Sequence, residues 1–177
     1  MSQAPQLTVS VEHPYAAWIE AMPDLERVIQ TAAAASVAQA CPGLLEAEIS
    51  FVFVDDKTQR DLNHTWRDQD RPTNVLSFPA LETVPGIVPQ PEFPGIPLSL
   101  GDISLAFETV HKEAVAQRKS FSDHVTHLAV HGVLHLLGYD HGSDIEADVM
   151  ESLEIEVLAG LGIADPYAVA AEEGDDR

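Results

Sequence analysis

EISFVFV, residues Glu48 to Val54, is the stretch on which the fold turns. Its run of aromatic and β-branched residues between polar flanks predicts a strand, the clearest one in the chain. Upstream, Pro23 and Asp24 open a helical pattern that runs to about Ala40, with Leu25, Val28, Ile29 and Ala32 on one face. Pro42 and Gly43 stop it. Downstream, Asp55 and Asp56 are suited to cap a helix running to about Trp66. A strand set between two amphipathic helices points to a chain that mixes both kinds of element.

The rest of the chain continues the mixture. Gln6 to Val11 alternates and predicts a strand, as do Asn74 to Phe78 (NVLSF) and Asp102 to Ala106 (DISLA). Residues 80–100 hold five prolines and two glycines with no periodicity, an exposed loop rather than a domain linker. Helices are expected from about Thr109 to Arg118 and from a Ser122 or Asp123 cap to Leu137. A last one runs from Ser143 or Asp144 to about Gly160. The segment from 168 to the end is expected to be a disordered tail. Four strands, five helices, no repeat and no boundary make residues 1–177 a single α/β or α+β domain.

Composition narrows the possibilities. No run of about 18 apolar residues is present, so no membrane span is expected. The opening MSQAPQLTVSVEHP has neither the basic patch nor the apolar segment of a secretory leader. Cys41 is the only cysteine, which leaves no intrachain disulfide and no cysteine zinc site. These features favour a reducing, cytoplasmic setting. The net charge of −20 argues against nonspecific nucleic-acid binding, which needs lysine and arginine at the phosphates. Its distribution is uneven, however. Seven of the nine basic residues lie between Lys57 and Lys119, while residues 140–177 hold twelve acids and one arginine. A locally basic cleft on an acidic body is therefore expected, with the acidic last helix facing away from it.

HGVLHLLGYDH, residues 131 to 141, is the motif that carries chemistry. Positions four apart on a helix share a face and lie about 6 Å apart along its axis. His131 and His135 can thus aim at one point. Gly138 ends the helix as a left-handed residue, and Tyr139 and Asp140 shape a turn that returns His141 to the same point. A lone histidine is more often a hydrogen-bonded core or surface residue than a ligand. Three at this spacing, each needing partners for two ring nitrogens, match a zinc site whose fourth position is left for water. His124 and His127 precede the motif and are expected to be structural or to support the ligands. His13, His64 and His111 have no partner at ligand spacing. Zinc proteases place a glutamate directly after the first histidine as general base; here that position is Gly132.

HGVLHLLGYDH, followed by an acidic helix with Glu146, Met150 and Glu154, resembles the signature of the YbeY family of bacterial metal-dependent, single-strand-specific endoribonucleases. LNHTWRDQDRPTNVLSFP (Leu62 to Pro79) and GDISLAFETV (from Gly101) resemble two further blocks of that family, and the likeness runs from about Glu48 to the DPY ending at Tyr167. The resemblance implies a mixed sheet of about four strands with the metal in a cleft. It implies one Zn²⁺ held by His131, His135 and His141, and Arg67 as the arginine of the active-site cleft. It further implies ribosomal RNA as substrate, matured at the small-subunit 3′ end and policed for quality, with the ribosome or its small subunit as partner. Asp102 is then either an orienting residue or a strand-end structural one, and Ser77 and Asn74 are within possible reach of substrate. Two other readings stay open at this point: a metallohydrolase of another substrate class, and a ribosome assembly factor whose metal is structural. The oligomeric state is not legible.

Overall fold

The computed structural model describes residues 6–67 and 73–168. The expected tail from 169 onward and Arg71 lie outside the described residues. Four strands, β1 (Gln6–Glu12), β2 (Glu46–Val54), β3 (Val75–Pro79) and β4 (Leu98–Ala106), form one sheet in the order β1-β2-β4-β3. β1, β2 and β4 run parallel, and β3 is antiparallel to β4 at the edge. Among the described residues the six helices are α1 (Ala17–Ala21), α2 (Leu25–Ala40), α3 (Asp56–Arg67), α4 (Phe107–Ala116), α5 (Phe121–Leu136) and α6 (Asp144–Gly160). This is the mixed single-domain α+β architecture expected, with one helix more.

The extra helix, α1, is too short to show a period, and tertiary packing holds it. Trp18 is fully buried, and its indole N–H donates to the Val54 carbonyl at 2.8 Å. Its ring lies against Phe53, Phe107 and Phe121 at centroid distances of 4.9–5.5 Å. An aromatic of this size buries some 150–250 Å², and its one donor is satisfied. It therefore ties the chain start to the end of β2 and to the starts of α4 and α5.

Strand β4 begins at Leu98, four residues before the sequence pattern would start it. A bulge shifts its register against β2, with Glu48 opposite Ser99 but Ile49 opposite Gly101. Gly101 sits at φ +137°, and a Cβ there would lie 2.3 Å from the Phe78 carbonyl oxygen, so only glycine passes. The glycine that looks like a strand boundary is a kink inside the strand.

Alternation along β4 sorts the layers. Ile103 and Leu105 are buried on the face that meets α5. Ser104 points the other way, where α3 covers it: its hydroxyl donates to Gln59 Oε1 at 2.7 Å, and Gln59 Nε2 donates to the Ser104 carbonyl at 3.1 Å. α2 packs on β1 and α5, and α6 packs on α2 and α5. Almost every residue of α5 is thereby covered, which is why this helix carries so many apolar side chains around its whole girth.

Candidate metal centre

α5 starts two or three residues earlier than its pattern suggests. Ser120 is the cap, its hydroxyl accepting from the Asp123 N–H at 3.1 Å, in place of the expected Ser122 or Asp123. At the other end the Tyr139 N–H donates to the Leu134 carbonyl and the Gly138 N–H to the His135 carbonyl, both at 3.0 Å. That pair of bonds, with Gly138 at φ +100°, is a Schellman ending. The 80–100 loop seals it, since Thr83 Oγ1 donates to the Leu136 carbonyl at 2.8 Å. A Cβ on Gly138 would stand 2.7 Å from the Thr83 carbonyl oxygen. Gly138→Ala should therefore cost about 1–3 kcal/mol and move the turn that carries His141. Denaturant unfolding and metal content of that variant read both effects; an unchanged midpoint would show that the turn tolerates a side chain.

The turn delivers His141 beside the two helical histidines. His131 Nε2 and His135 Nε2 lie 3.0 Å apart, with their rings nearly perpendicular. The His141 ring lies 5.5 Å from His131 and 5.1 Å from His135 between centroids, and one nitrogen from each of the three falls within 4.8 Å of the others. Two neutral imidazole nitrogens that close must share either a proton or a cation. Ligands about 2.0–2.1 Å from a tetrahedral zinc stand about 3.3 Å apart, so the pair is already near bite distance. The donor set, three imidazoles and no thiolate, suits zinc with a position left open.

Burial, then the neighbouring His131 and His141 rings, depress the His135 pKa to about 4 from an ordinary 6.5. The ring is thus a free base at neutral pH. The sign of the stability effect follows: below pH 6.5 the unfolded chain takes up a proton that the metal-free folded protein refuses. This contribution is complete above pH 6.5 and is lost as pH falls toward 4. The unfolding midpoint of metal-free protein should drop across that window, and less so for His135→Ala. Superimposable profiles would contradict the assignment.

A carboxylate backs the cluster. Glu154 of α6 is fully buried, and its Oε1 lies 2.5 Å from His131 Nδ1. Its Oε2 lies 3.1 Å from His127 Nε2 and accepts from the Tyr167 hydroxyl. Burial alone would raise the Glu154 pKa, but the hydrogen bonds from His127 and His131 prevail and hold it at about 2. Sequence reading had the acidic last helix facing away from the site; one of its acids is built into it. The signal was present, because Glu154 falls on the buried stripe with Met150, Val157 and Leu158 rather than on the exposed face.

The remaining histidines are not part of the cluster. His124 is buried and bonds Glu113 at 3.0 Å, and Asn74 donates to the same carboxylate, so its position is structural. His111 stacks on Phe107, and His13 stands 3.7 Å from Glu26.

Arg67 closes α3 and lines the same cleft, of about 660 Å³, as the three histidines. Its Nη2 donates to the Ser77 carbonyl at 2.6 Å, and the guanidinium lies 5.7 Å from the Phe78 ring centroid. Asp102 sits one residue from Ile103, which meets α5 at Gly132, so its side chain points to the opposite face and does not reach the cluster. Ser77 donates to the Gly132 carbonyl at 3.2 Å, and Asn74 is engaged with Glu113 and its own strand. Both also line the cleft that holds the three histidines. Gly132 itself faces Ile103, whose methyl would be 3.0 Å from an added Cβ. A glutamate there would enter the core rather than the cleft, so a zinc protease's base has no place in this geometry.

A family model described as endoribonuclease YbeY matches residues 16–162, starting well before Glu48 and so taking in the N-terminal helices. A protein of Paramagnetospirillum magneticum named endoribonuclease YbeY is 51% identical over 162 residues, covering 91% of this chain and 96% of that protein. One of the same name from Azorhizobium caulinodans is 50% identical over 153 residues, covering 86% and 91%. A solution structure from Thermotoga maritima is 22% identical, covers 88% of this chain and 91% of its own, and has a TM-score of 0.47.

Proposed function

The chain belongs to the endoribonuclease YbeY family, and from that premise we propose that it is a zinc-dependent hydrolase cutting single-stranded ribosomal RNA. The observation that carries the reading is the three-histidine cluster opening into one cleft with Arg67. His131, His135 and His141 would hold one Zn²⁺. An ion there supplies Lewis acidity toward a phosphoryl oxygen and acidifies a water molecule. Arg67 keeps one η nitrogen on the Ser77 carbonyl, which orients its other N–H groups for the charge that builds on phosphate oxygens. Small-subunit 3′ maturation and quality control are the processes proposed, in the cytoplasm. No described helix is long and apolar enough to cross a membrane.

The experiment is cleavage of a short single-stranded RNA by protein stripped with a chelator, then resupplied with one equivalent of zinc. Activity should vanish and return. Cleavage that persists in metal-free protein would overturn the reading.

The charge of the chain shapes how RNA arrives. Of the described basic residues, Arg67 and Lys119 line the two clefts that meet at His131. Few phosphate contacts are then available, so free RNA should bind weakly, with a log–log salt slope of about −2 to −4. The ribosome would supply the missing affinity by holding the strand near the site. A slope near −8 would mean a far larger basic surface.

A further inference from the structure

We infer that Glu154 is a positioning residue for the metal: it fixes His131 as the Nδ1–H tautomer, with Nε2 bare toward His135 and His141, and is itself fixed by His127 and Tyr167. The inference rests on the reading that the three histidines bind the ion. It adds a residue, on another helix, that sets how well they do so.

The argument starts from a charge out of water. Glu154 has no exposed surface, and an isolated carboxylate there would cost several kcal/mol. Three donors compensate it, and they divide unequally. Oε2 takes the Tyr167 hydroxyl and His127 Nε2, while Oε1 faces His131 Nδ1 alone at 2.5 Å. A neutral imidazole that turns its Nε2 lone pair toward the other two histidines must carry its proton on Nδ1, and Oε1 is the acceptor placed to take it. Neutral imidazole carries only one N–H. With it committed to Glu154, Nε2 must present its lone pair, and Nε2 is the nitrogen 3.0 Å from His135 Nε2. Free imidazole samples both tautomers and rotates about χ2; here both freedoms are removed before any ion arrives. The negative charge behind the ring also raises its basicity toward a cation.

The support for Glu154 reaches the end of the described chain. Tyr167 follows Pro166, whose carbonyl accepts from Lys119 Nζ at 3.0 Å, and the Tyr167 N–H donates to Asp165 Oδ1 at 2.8 Å. That turn is pinned at both points and presents the hydroxyl to Glu154. The DPY segment at 165–167 thus acts on the metal site through one hydrogen bond to one carboxylate.

The test is the equilibrium zinc affinity of the full chain, measured by competition with a chromophoric chelator. Glu154→Gln and Glu154→Ala should each weaken zinc binding about 10- to 100-fold. Tyr167→Phe, which removes one hydroxyl from a partly exposed ring, should weaken it a few-fold. Glu156→Gln, an exposed change two residues along the same helix, should leave it unaltered. ¹⁵N-histidine spectra of metal-free protein separate positioning from mere stability. The wild type should carry the His131 proton on Nδ1, and Glu154→Ala should redistribute it. Folded Glu154 variants that bind zinc within about twofold of wild type, or a wild-type His131 protonated on Nε2, would overturn the inference. Should the Glu154 variants fail to fold, an unaltered zinc affinity in Tyr167→Phe would do so. Wild type that binds zinc as expected yet cuts no RNA would sink the proposed function and leave this assignment standing. Wild type that takes up no zinc would remove both.

Discussion

His135→Ala should yield a folded protein that retains little zinc and cuts RNA at least about 1000-fold more slowly than wild type. A bound ion supplies several kcal/mol of transition-state stabilisation, and each 1.36 kcal/mol is tenfold in rate, so losing about 4 kcal/mol gives that factor. Folding should survive for a local reason. His135 sits on the cleft side of α5 and is only partly buried, while the core contacts of the helix come from Val125, Leu128, Ala129, Val133, Leu134 and Leu136. Alanine is also a better helix former than histidine. Elemental analysis, near-ultraviolet circular dichroism and cleavage of a short RNA read the three consequences separately. His124→Ala is the informative contrast. It removes a buried partner of Glu113 and should lower stability while leaving zinc in place. Full activity in His135→Ala, without metal, would refute the proposed chemistry.

Arg67→Ala should slow cleavage by about 30- to 1000-fold, equivalent to roughly 2–4 kcal/mol of lost transition-state stabilisation, with zinc content unchanged. The structure explains why the two readouts should part company. Arg67 lines the histidine cleft, yet its observed bond is to the Ser77 carbonyl on β3. Nothing in its position supports the ligands. Arg67→Lys should recover little, because an ammonium cannot both hold Ser77 and present a planar pair of donors to a phosphate. Wild-type cleavage by Arg67→Ala would reduce this side chain to a strap between α3 and β3.

Much of the molecule was legible from local pattern. EISFVFV is legible as a strand because Ile49, Phe51 and Phe53 alternate into the core while Glu48 and Ser50 stay exposed, and β2 occupies those residues with a short extension at its start. His131, His135 and His141 were legible for a related reason. Helical geometry sets two of them on one face, and the left-handed glycine that returns the third is a backbone requirement that only one residue type meets readily.

What the pattern could not show depended on contacts between segments far apart in sequence. α1 exists because Trp18 finds the Val54 carbonyl and a nest of aromatic rings, and a five-residue helix has no other means of support. Strand β4 starts four residues before the DISLA pattern, because Gly101 interrupts that pattern and only the neighbouring Phe78 carbonyl marks it as a kink inside the strand. Asp102, open in the sequence to either an orienting or a strand-end structural role, is turned to the far face by the two-residue alternation of a strand once Ile103 is committed to α5. Glu154 is the clearest case. Composition made it one of twelve acids in a solvated C-terminal region, and burial against α5 made it the carboxylate behind His131. Spacing along one helix is set by the chain itself, whereas a hydrogen bond across 23 residues exists only after two helices have packed.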